Sequence, residues 1–357
     1  MSRFQKIAEK LDAYGLDAMM VTSAPNRLYA AEFASSAGMA IVTKKGSWFF
    51  TDSRYIEVAR KRIQGAEIGQ NTTKVSLTDL ANQVIAEQGV KKLGFEDAYA
   101  TVSAYNTWKE KLRGCELVPA TELLMELRCV KDEKEIETLI AAQRIAEKAL
   151  VDVLDFIKPG KTEKEISAYL QYRMLCHGAE KNSFDPIVVS GPNGSMPHGV
   201  PSDKPVAEGE FITMDFGCVL NGYCSDMTRT VAVGYVTEEM DKVYHTVLKA
   251  QKAGMDTAKA GVLGKVIHEA AAKVIADAGY GEYFGHGFGH GLGVEVHEGL
   301  GAAPTSDKPL PAGAVVSAEP GIYIPGKFGV RIEDIMIIGE TGSRSIMEAP
   351  KELLILK

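Results

Sequence analysis

The sequence predicts an α+β protein of two domains, divided between residues 127 and 128. At 357 residues the chain is longer than one hydrophobic core usually supports. Before residue 127 short strand-like runs alternate with short amphipathic stretches, whereas a long helical pattern begins at Lys131. Beyond that helix, further strand-like runs are interleaved with helices. We therefore expect a small N-terminal domain and a larger C-terminal domain.

Residues 1–127 predict a small α/β domain. A first amphipathic helix is indicated by apolar residues at helical spacing, namely Phe4, Ile7, Ala8 and Leu11. The runs DAMMVTS and KKLGFE have the composition of strands, and AIVTKKGSWFFT predicts a hairpin that turns at Lys45-Gly46. Short strands that alternate with helices favour a layered α/β arrangement.

Residues 128–357 predict four helices around a set of strands. The first helix runs from Lys131 until Pro159-Gly160 stops it. Thr162 and Glu165 have the spacing of a capping box and predict the start of the second helix. Two more helices are expected at about 238–258 and 264–278, the second with its apolar residues on one stripe.

Composition excludes several classes of protein. The hydrophobic fraction of 45% and the charged fraction of 24% are those of an ordinary globular protein. A net charge of -7 without a block of Lys and Arg argues against nucleic-acid binding. No apolar run reaches the roughly 18 residues of a membrane span, and the charged N-terminus differs from a secretory signal. Five irregularly spaced cysteines favour a reducing compartment, so we expect a cytoplasmic protein.

Asp215 and Asp226 lie on the two strands of a predicted hairpin. Asn221-Gly222, between two β-rich runs, favours a two-residue type I′ turn. Counting outward from this turn places Phe216 opposite Met227, which makes the two aspartates diagonal neighbours on one sheet face. Diagonal Cα atoms lie about 7–8 Å apart, and paired ions of hydrolytic sites lie roughly 3.5–4 Å apart. Both carboxylates therefore reach one pair of metal ions.

Glu319 and Glu333 repeat this arrangement. VVSAE and GVRIED have the pattern of strands, and the segment PGKFG between them is rich in turn residues. Arg331 precedes Glu333 by two positions, so its side chain points to the same face of the strand. We expect Arg331 to orient a ligating carboxylate.

His290 lies in the glycine-rich run GHGFGHGLG. His286 and His290 have the spacing of a zinc pair on a helix, but the glycines that alternate with them each cost a helix about 1 kcal/mol. The run is therefore an extended strand or tight loop whose backbone approaches a neighbour closely.

Four carboxylates and one histidine predict a site for two metal ions. An isolated aspartate is usually a surface group, but Asp215 follows the apolar run EFIT, and a buried carboxylate without a partner is costly. Four negative charges balance two divalent cations. A water shared by such ions becomes a nucleophile near neutral pH, which predicts a hydrolase. The predicted ligands are Asp215, Asp226, His290, Glu319 and Glu333.

These motifs closely resemble the metallopeptidases of the methionine aminopeptidase, prolidase and aminopeptidase P superfamily, family M24. The ligand set of that superfamily matches all five residues. The segments PHGVPSDK, DMTRT, GHGLGVEVHE, EPGIYIPGKFGVRIED and FTDSRY are similar to the Xaa-Pro branch. The resemblance implies a creatinase-type, ribonuclease-H-like domain over residues 1–127 and a pita-bread catalytic domain over residues 128–357. It also implies a homodimer.

The resemblance further implies roles for side chains around the metals. His297 is the expected donor to the oxyanion, and His286 and His198 are expected at the rim that binds substrate. Glu319 is expected to move a proton as well as to bind metal. We predict catalytic roles for His198, His297 and Glu319, and substrate contacts for His198, His286, His297 and Arg331.

The expected activity is hydrolysis of the N-terminal Xaa-Pro bond of short peptides by a hydroxide that bridges two metal ions. Oxygen-rich ligation with one imidazole favours Mn(II), while Co(II) and Zn(II) also bind such sites. The resemblance leaves an Xaa-Pro aminopeptidase and an Xaa-Pro dipeptidase (prolidase) open. Metal-free hydrolases such as creatinase and non-catalytic binding proteins share the fold but typically lack part of the ligand set.

Overall fold

The chain divides into two structural units, Met1–Arg128 and Cys129–Lys357, in the computed structural model, which describes residues 1–357. The division lies at the end of a helix, Thr121–Cys129, that adds to the predicted elements. The predicted division between residues 127 and 128 falls in the last turn of this helix.

The first unit is a mixed six-stranded sheet between two layers of helices. Its strands have the order β4-β3-β2-β1-β5-β6, in which β2 runs antiparallel to both of its neighbours. The helices are α1 (Arg3–Lys10), α2 (Ala24–Ala31), α3 (Ile56–Arg62), α4 (Leu77–Gln88), α5 (Val102–Lys111) and α6 (Thr121–Cys129). The strands are β1 (Ala18–Val21), β2 (Met39–Thr43), β3 (Ser47–Thr51), β4 (Glu67–Gln70), β5 (Lys92–Phe95) and β6 (Glu116–Pro119).

The predicted elements of this unit are confirmed. Phe4, Ile7 and Leu11 are buried on the inner face of α1 and at its end, as their spacing predicts. The predicted hairpin is β2–β3, in which Val42 pairs with Ser47 across the turn. One apolar core contains side chains of α1, α2, α3 and α6, and a second core on the other sheet face contains those of α4 and α5.

The second unit contains four long helices, two short 3₁₀ helices (Gly191–Ser195 and Gly281–Tyr283) and twelve short strands. The helices are α7 (Glu133–Phe156), α8 (Glu163–Cys176), α9 (Glu238–Thr257) and α10 (Gly264–Asp277). The first strands are β7 (Lys181–Asn182), β8 (Ile187–Ser190), β9 (Phe211–Phe216), β10 (Cys218–Leu220), β11 (Tyr223–Cys224) and β12 (Met227–Val233). The others are β13 (Val315–Ala318), β14 (Gly321–Ile324), β15 (Phe328–Arg331), β16 (Asp334–Ile338), β17 (Ser343–Ser345) and β18 (Ile355–Leu356).

Side-chain caps set the helix starts. α7 begins at Glu133 rather than at Lys131, because Asp132 forms a capping box with Glu135. The predicted capping box of Thr162 with Glu165 is present at the start of α8. None of these helices combines the length and apolarity of a membrane span.

Two helix pairs form the outer layers of the second unit. α7 and α8 share an apolar core with β8, β9 and β12, which lie in the four-stranded sheet β18-β12-β9-β8. α9 and α10 share a second core with β13, β14, β15 and β16. The predicted site residues lie on or beside the strands that these two cores support.

The register of the predicted hairpin is confirmed. Asn221 and Gly222 have φ angles of 48° and 79°, as a type I′ turn requires. Phe216 pairs with Met227, and the ladder continues along β9 and β12. Asp215 and Asp226 are therefore diagonal neighbours, as predicted.

We expect Gly222→Ala to lower the free energy of unfolding by about 1–2 kcal/mol, because a side chain is strained in the left-handed region. Gly342→Ala is the matched control, since a Cβ there meets no atom within 4 Å and its φ is not positive. Urea unfolding of both variants measures the difference. Equal stability of the two variants would contradict the turn assignment.

Candidate metal centre

One cavity of about 640 Å³ in the second unit brings the predicted side chains together. Asp226, His290 and Glu333 each offer one ligand atom, and these atoms lie within 4.8 Å of one another. The separate roles of the lining residues stay predictions, but their convergence is a feature of the fold. All nine predicted site residues line the cavity, namely His198, Asp215, Asp226, His286, His290, His297, Glu319, Arg331 and Glu333.

Asp215 is held by Arg331. The Nη2 atom of Arg331 lies 2.5 Å from Oδ2 of Asp215, and the arginine side chain is 4% exposed. Its other nitrogens donate to Oγ1 of Thr228, the hydroxyl of Tyr323 and the carbonyl of Pro197. Arg331 therefore orients Asp215, whereas strand spacing had placed it on the same face as Glu333, which it reaches through Thr228.

His290 is placed by close backbone contacts on both sides. Gly289 pairs with Ala302 and Gly291 with Val316 in isolated bridges. A Cβ on Gly289 would lie 1.9 Å from the carbonyl oxygen of Ser317, which only glycine avoids. The prediction of a tight, extended segment is confirmed.

The ring of His290 presents one nitrogen to the carboxylates. Its Nδ1 lies 3.2 Å from the carbonyl of Gly291, so Nδ1–H donates there. Nε2 then faces Oε1 of Glu319 at 3.2 Å and Oδ2 of Asp226 at 3.6 Å. A backbone carbonyl that fixes the tautomer in this way is the usual environment of a metal-binding imidazole.

Glu319 and Glu333 lie opposite each other where a β-ladder is interrupted. Pairing between β13 and β16 ends at Ala318 and Asp334, and pairing between β14 and β15 resumes in the same register at Gly321 and Arg331, after two unpaired residues on each segment. The two glutamates occupy the gap. Their side chains therefore enter the cavity from two neighbouring chain segments.

Two hydroxyl groups orient these glutamates. Thr228 donates from Oγ1 to Oε2 of Glu333 at 2.8 Å and accepts from Nε of Arg331. Ser317 donates to Oε1 of Glu319 at 3.1 Å and accepts from the backbone N–H of His290. Each carboxylate is thus fixed through one oxygen.

Three carboxylate oxygens in the cavity are buried without a hydrogen-bond partner: Oδ1 of Asp215, Oδ1 of Asp226 and Oε1 of Glu333. Orphaned buried acceptors are rare because each costs free energy. Together with Nε2 of His290 they form an oxygen-rich donor set with one imidazole. This set fits divalent metal ions.

Burial and mutual repulsion change the pKa values of the cavity. Burial, with the charges of neighbouring carboxylates, raises the pKa of Asp226 and Glu333 well above the usual range. Burial also raises the pKa of Asp215, although the charge of Arg331 opposes it. The ion pair between Glu319 and His290 outweighs burial, so the pKa of Glu319 falls to about 2 and that of His290 rises to about 9.

The other histidines differ in their partners. Nδ1 of His286 lies 2.8 Å from the carbonyl of Gly287, and its Nε2 lies 2.9 Å from the hydroxyl of Tyr323. The ring of His297 meets that of His290 edge to face with centroids 4.0 Å apart. Burial lowers the pKa of both His286 and His297, so both are neutral at pH 7. His198 is exposed at the edge of the cavity.

Thr228, Ser317 and Tyr323 are the polar neighbours that sequence reasoning missed. The contact of Thr228 with Glu333 joins segments that are far apart in sequence. Ser317 precedes Glu319 by two positions, so strand period places it beside that carboxylate. That signal was available in the sequence. Tyr323 had no such signal, because its contacts with His286 and Arg331 depend on the β14–β15 hairpin.

Comparisons with known proteins place the chain in a family. Residues 137–340 match the family described as Metallopeptidase family M24, and residues 3–130 match the Creatinase/Prolidase N-terminal domain. The chain belongs to metallopeptidase family M24. The resemblance and the predicted fold are confirmed: an N-terminal creatinase-type domain precedes a pita-bread domain. M24 is a family of divalent-metal peptidases.

Solved M24 structures resemble this chain over almost its full length. An Xaa-Pro dipeptidase from Bacillus anthracis is 42% identical with a TM-score of 0.95, and the match covers 99% of both chains. An X-Pro aminopeptidase from Thermotoga maritima is 34% identical with a TM-score of 0.90, covering 96% of this chain and 98% of that one. The uncharacterized peptidase YqhT of Bacillus subtilis is 42% identical over 354 residues, which is 99% of this chain and 100% of that protein.

We expect the chelator-treated protein to lose stability as pH rises from 5.5 to 8. The folded state binds protons more tightly at Asp226, Glu333 and His290 than the unfolded chain does, because the pKa of each group is raised. Each such proton contributes at most about 1.4 kcal/mol per pH unit. The opposite contribution of Glu319 falls below this window, because its pKa is lowered to about 2. His286 and His297, whose pKa values are lowered, also oppose the loss but act within the window, so they reduce its slope. Urea unfolding at the two pH values measures the slope.

Asp226→Asn serves as the control for this slope, since an amide does not titrate. We expect the variant to show a smaller loss of stability between the two pH values. A metal-free wild-type protein that is more stable at pH 8 than at pH 5.5 would contradict the electrostatic account.

We expect Thr228→Val to weaken binding of divalent metal by about 10–100-fold, because a residue that orients a ligand typically has this effect. The change removes the hydroxyl that joins Arg331 to Glu333 and keeps the side-chain shape. Calorimetric titration of the chelator-treated protein measures the affinity. Thr246→Val is the control, because its hydroxyl donates within α9 to Lys242. Equal affinity of the two variants would refute the orienting role of Thr228.

Proposed function

We propose that this chain is an Xaa-Pro aminopeptidase that uses two divalent metal ions. The observation that most supports this proposal is the set of buried carboxylate oxygens without partners around Nε2 of His290. In this proposal Asp215, Asp226, His290, Glu319 and Glu333 hold the metals. A pair of bound ions supplies an acidified water and polarises the scissile carbonyl.

The remaining polar groups position the reactants and move the proton. Glu319 accepts a proton from the attacking water and delivers it to the leaving amine. Its orientation is kept by Ser317, which donates to only one of its oxygens. Arg331 stays on Asp215 and acts through that carboxylate rather than through the substrate contact predicted for it, because its nitrogens are engaged by protein groups.

The histidines provide hydrogen bonds where charge develops. His297 lies beside His290 and has a lowered pKa, so it is a neutral donor to the oxyanion of the tetrahedral intermediate. His198 and His286 bind the substrate around the proline. The link from His286 through the hydroxyl of Tyr323 to Arg331 couples this rim to the carboxylate cluster.

The cavity suits a free N-terminus followed by proline. Its acidic end attracts the α-ammonium group of the first residue, which favours cleavage at peptide N-termini. One wall of the cavity is apolar and is formed by Phe184, Ile187 and Val296. Such a wall favours the proline ring, whose fixed φ presents a substituted amide nitrogen at the scissile bond.

The charges of the cavity favour an aminopeptidase over a dipeptidase. Arg331 is the only lysine or arginine among the side chains of the second unit that line the cavity, and it is paired with Asp215. The free carboxylate of an Xaa-Pro dipeptide therefore lacks a cationic partner there, whereas a longer peptide has a neutral amide at that position. An Xaa-Pro dipeptidase is the second candidate, favoured by the name of the Bacillus anthracis structure.

Mn(II) is the metal that we propose for this site. Four of the five side chains offer carboxylate oxygen and one offers imidazole nitrogen, a harder set than the sulfur- and nitrogen-rich sites typical of zinc. Co(II) and Zn(II) also bind such ligands in solution because their intrinsic affinities are higher.

We expect the Mn(II)-loaded protein to cleave an Xaa-Pro-Yaa tripeptide at least about tenfold faster than an Xaa-Pro dipeptide. The expected rate on a matched Xaa-Ala-Yaa tripeptide is lower still, because the apolar wall favours the proline ring. Release of the first amino acid, after chelator treatment and reloading, measures all three rates.

An N-acetylated Xaa-Pro-Yaa tripeptide is the control for recognition of the N-terminus, and we expect it to resist cleavage. Faster cleavage of the dipeptide would support the dipeptidase. Binding of metal without cleavage of any of these peptides would refute the Xaa-Pro assignment.

A further inference from the structure

Gln251 is a fully buried polar side chain that the proposed chemistry does not use. It lies on α9 with 0% exposure, packed beneath the strands that carry two of the proposed ligands. Its Nε2 atom lies 3.0 Å from the carbonyl oxygen of Ala318 and 3.1 Å from that of Ile332. These carbonyls belong to the residues immediately before Glu319 and Glu333.

The orientation of the Gln251 amide follows from its neighbours. Both contacts are carbonyl oxygens, which only accept hydrogen bonds, so the NH₂ group must face them. The amide oxygen is left buried without a partner. An apolar side chain of similar shape would avoid this cost. Packing in the core therefore does not explain the amide at this position, whereas its two hydrogen bonds do.

The two hydrogen bonds of Gln251 cross the interruption of the β-ladder. The backbone N–H groups of the two glutamates turn away from the opposite segment: that of Glu319 donates to the carbonyl oxygen of Phe288 and that of Glu333 to the carbonyl oxygen of Thr228. Pro320 has no N–H to donate. The Gln251 amide is thus a tie between the two segments at the level of the glutamates.

We propose that Gln251 is a positioning residue that sets the separation of Glu319 and Glu333 and thereby the affinity for divalent metal. This inference rests on the proposed function, because it takes both glutamates as ligands. Both carboxylates must be charged to bind metal, and two charged carboxylates opposite each other repel, so the segments tend to separate unless something holds them. A donor that binds both backbones from below opposes this separation and leaves the carboxylate oxygens free.

The test compares two variants of the full chain on the same helix. Gln251→Met keeps the length of the side chain and removes both donors. Val247→Ala is the control, because Val247 is buried in the same core and touches neither glutamate through a hydrogen bond. Calorimetric titration of Mn(II) into the chelator-treated proteins measures affinity and stoichiometry, and thermal unfolding without metal measures stability.

We expect Gln251→Met to bind Mn(II) at least tenfold more weakly than the wild type and to have a lower metal-free melting temperature, because the buried carbonyl oxygens of Ala318 and Ile332 lose a donor. Val247→Ala is expected to lower the melting temperature and to keep its Mn(II) affinity within about threefold. Unchanged affinity in Gln251→Met, or a loss no larger than that of Val247→Ala, would overturn the role of Gln251. Failure of the wild type itself to bind Mn(II) would instead overturn the proposed function.

Discussion

The second unit has to hold four carboxylates close together around one imidazole, and the rest of its structure depends on this requirement. Burial and mutual repulsion raise the pKa of Asp226 and Glu333 well above the usual range, so the metal-free cavity favours bound protons over charge. Only Arg331 and His290 bring positive charge into contact with these acids. The fold therefore has to hold together groups that separate when left unconstrained.

Backbone geometry supplies most of that restraint. A type I′ turn fixes the register that makes Asp215 and Asp226 diagonal neighbours. Gly289 allows the segment of His290 to approach the strand that precedes Glu319 more closely than any side chain permits, and Gly291 does the same for the carbonyl oxygen of Glu298. Hydroxyl and guanidinium groups then select which carboxylate oxygen faces the cavity. The site is rigid because its ligands lie on or beside paired strands.

Local signals were sufficient to predict much of this arrangement. Asn221-Gly222 determines a register without knowledge of the rest of the chain, and alternating glycines exclude a helix around His290. The start of α7 at Glu133 was missed by two residues, because the capping box of Asp132 with Glu135 sets it and apolar periodicity does not mark that boundary. Gln251 was out of reach, because α9 is separated in sequence from both segments that it contacts. Contacts between segments that are far apart in the chain produce no periodic pattern in the sequence.

The same carboxylates that make the cavity suitable for metal make it costly without metal. A neutral core of equal volume would be more stable, so buried acids at this density indicate a function that requires them. Metal binding makes the electrostatic free energy of the cluster favourable, because bound cations replace protons and attract the carboxylates that otherwise repel one another. Stability and affinity are then two measures of one quantity, the free energy of holding the acids in place. A tie that fixes their spacing, such as Gln251, raises affinity most when it resists separation before the metal arrives.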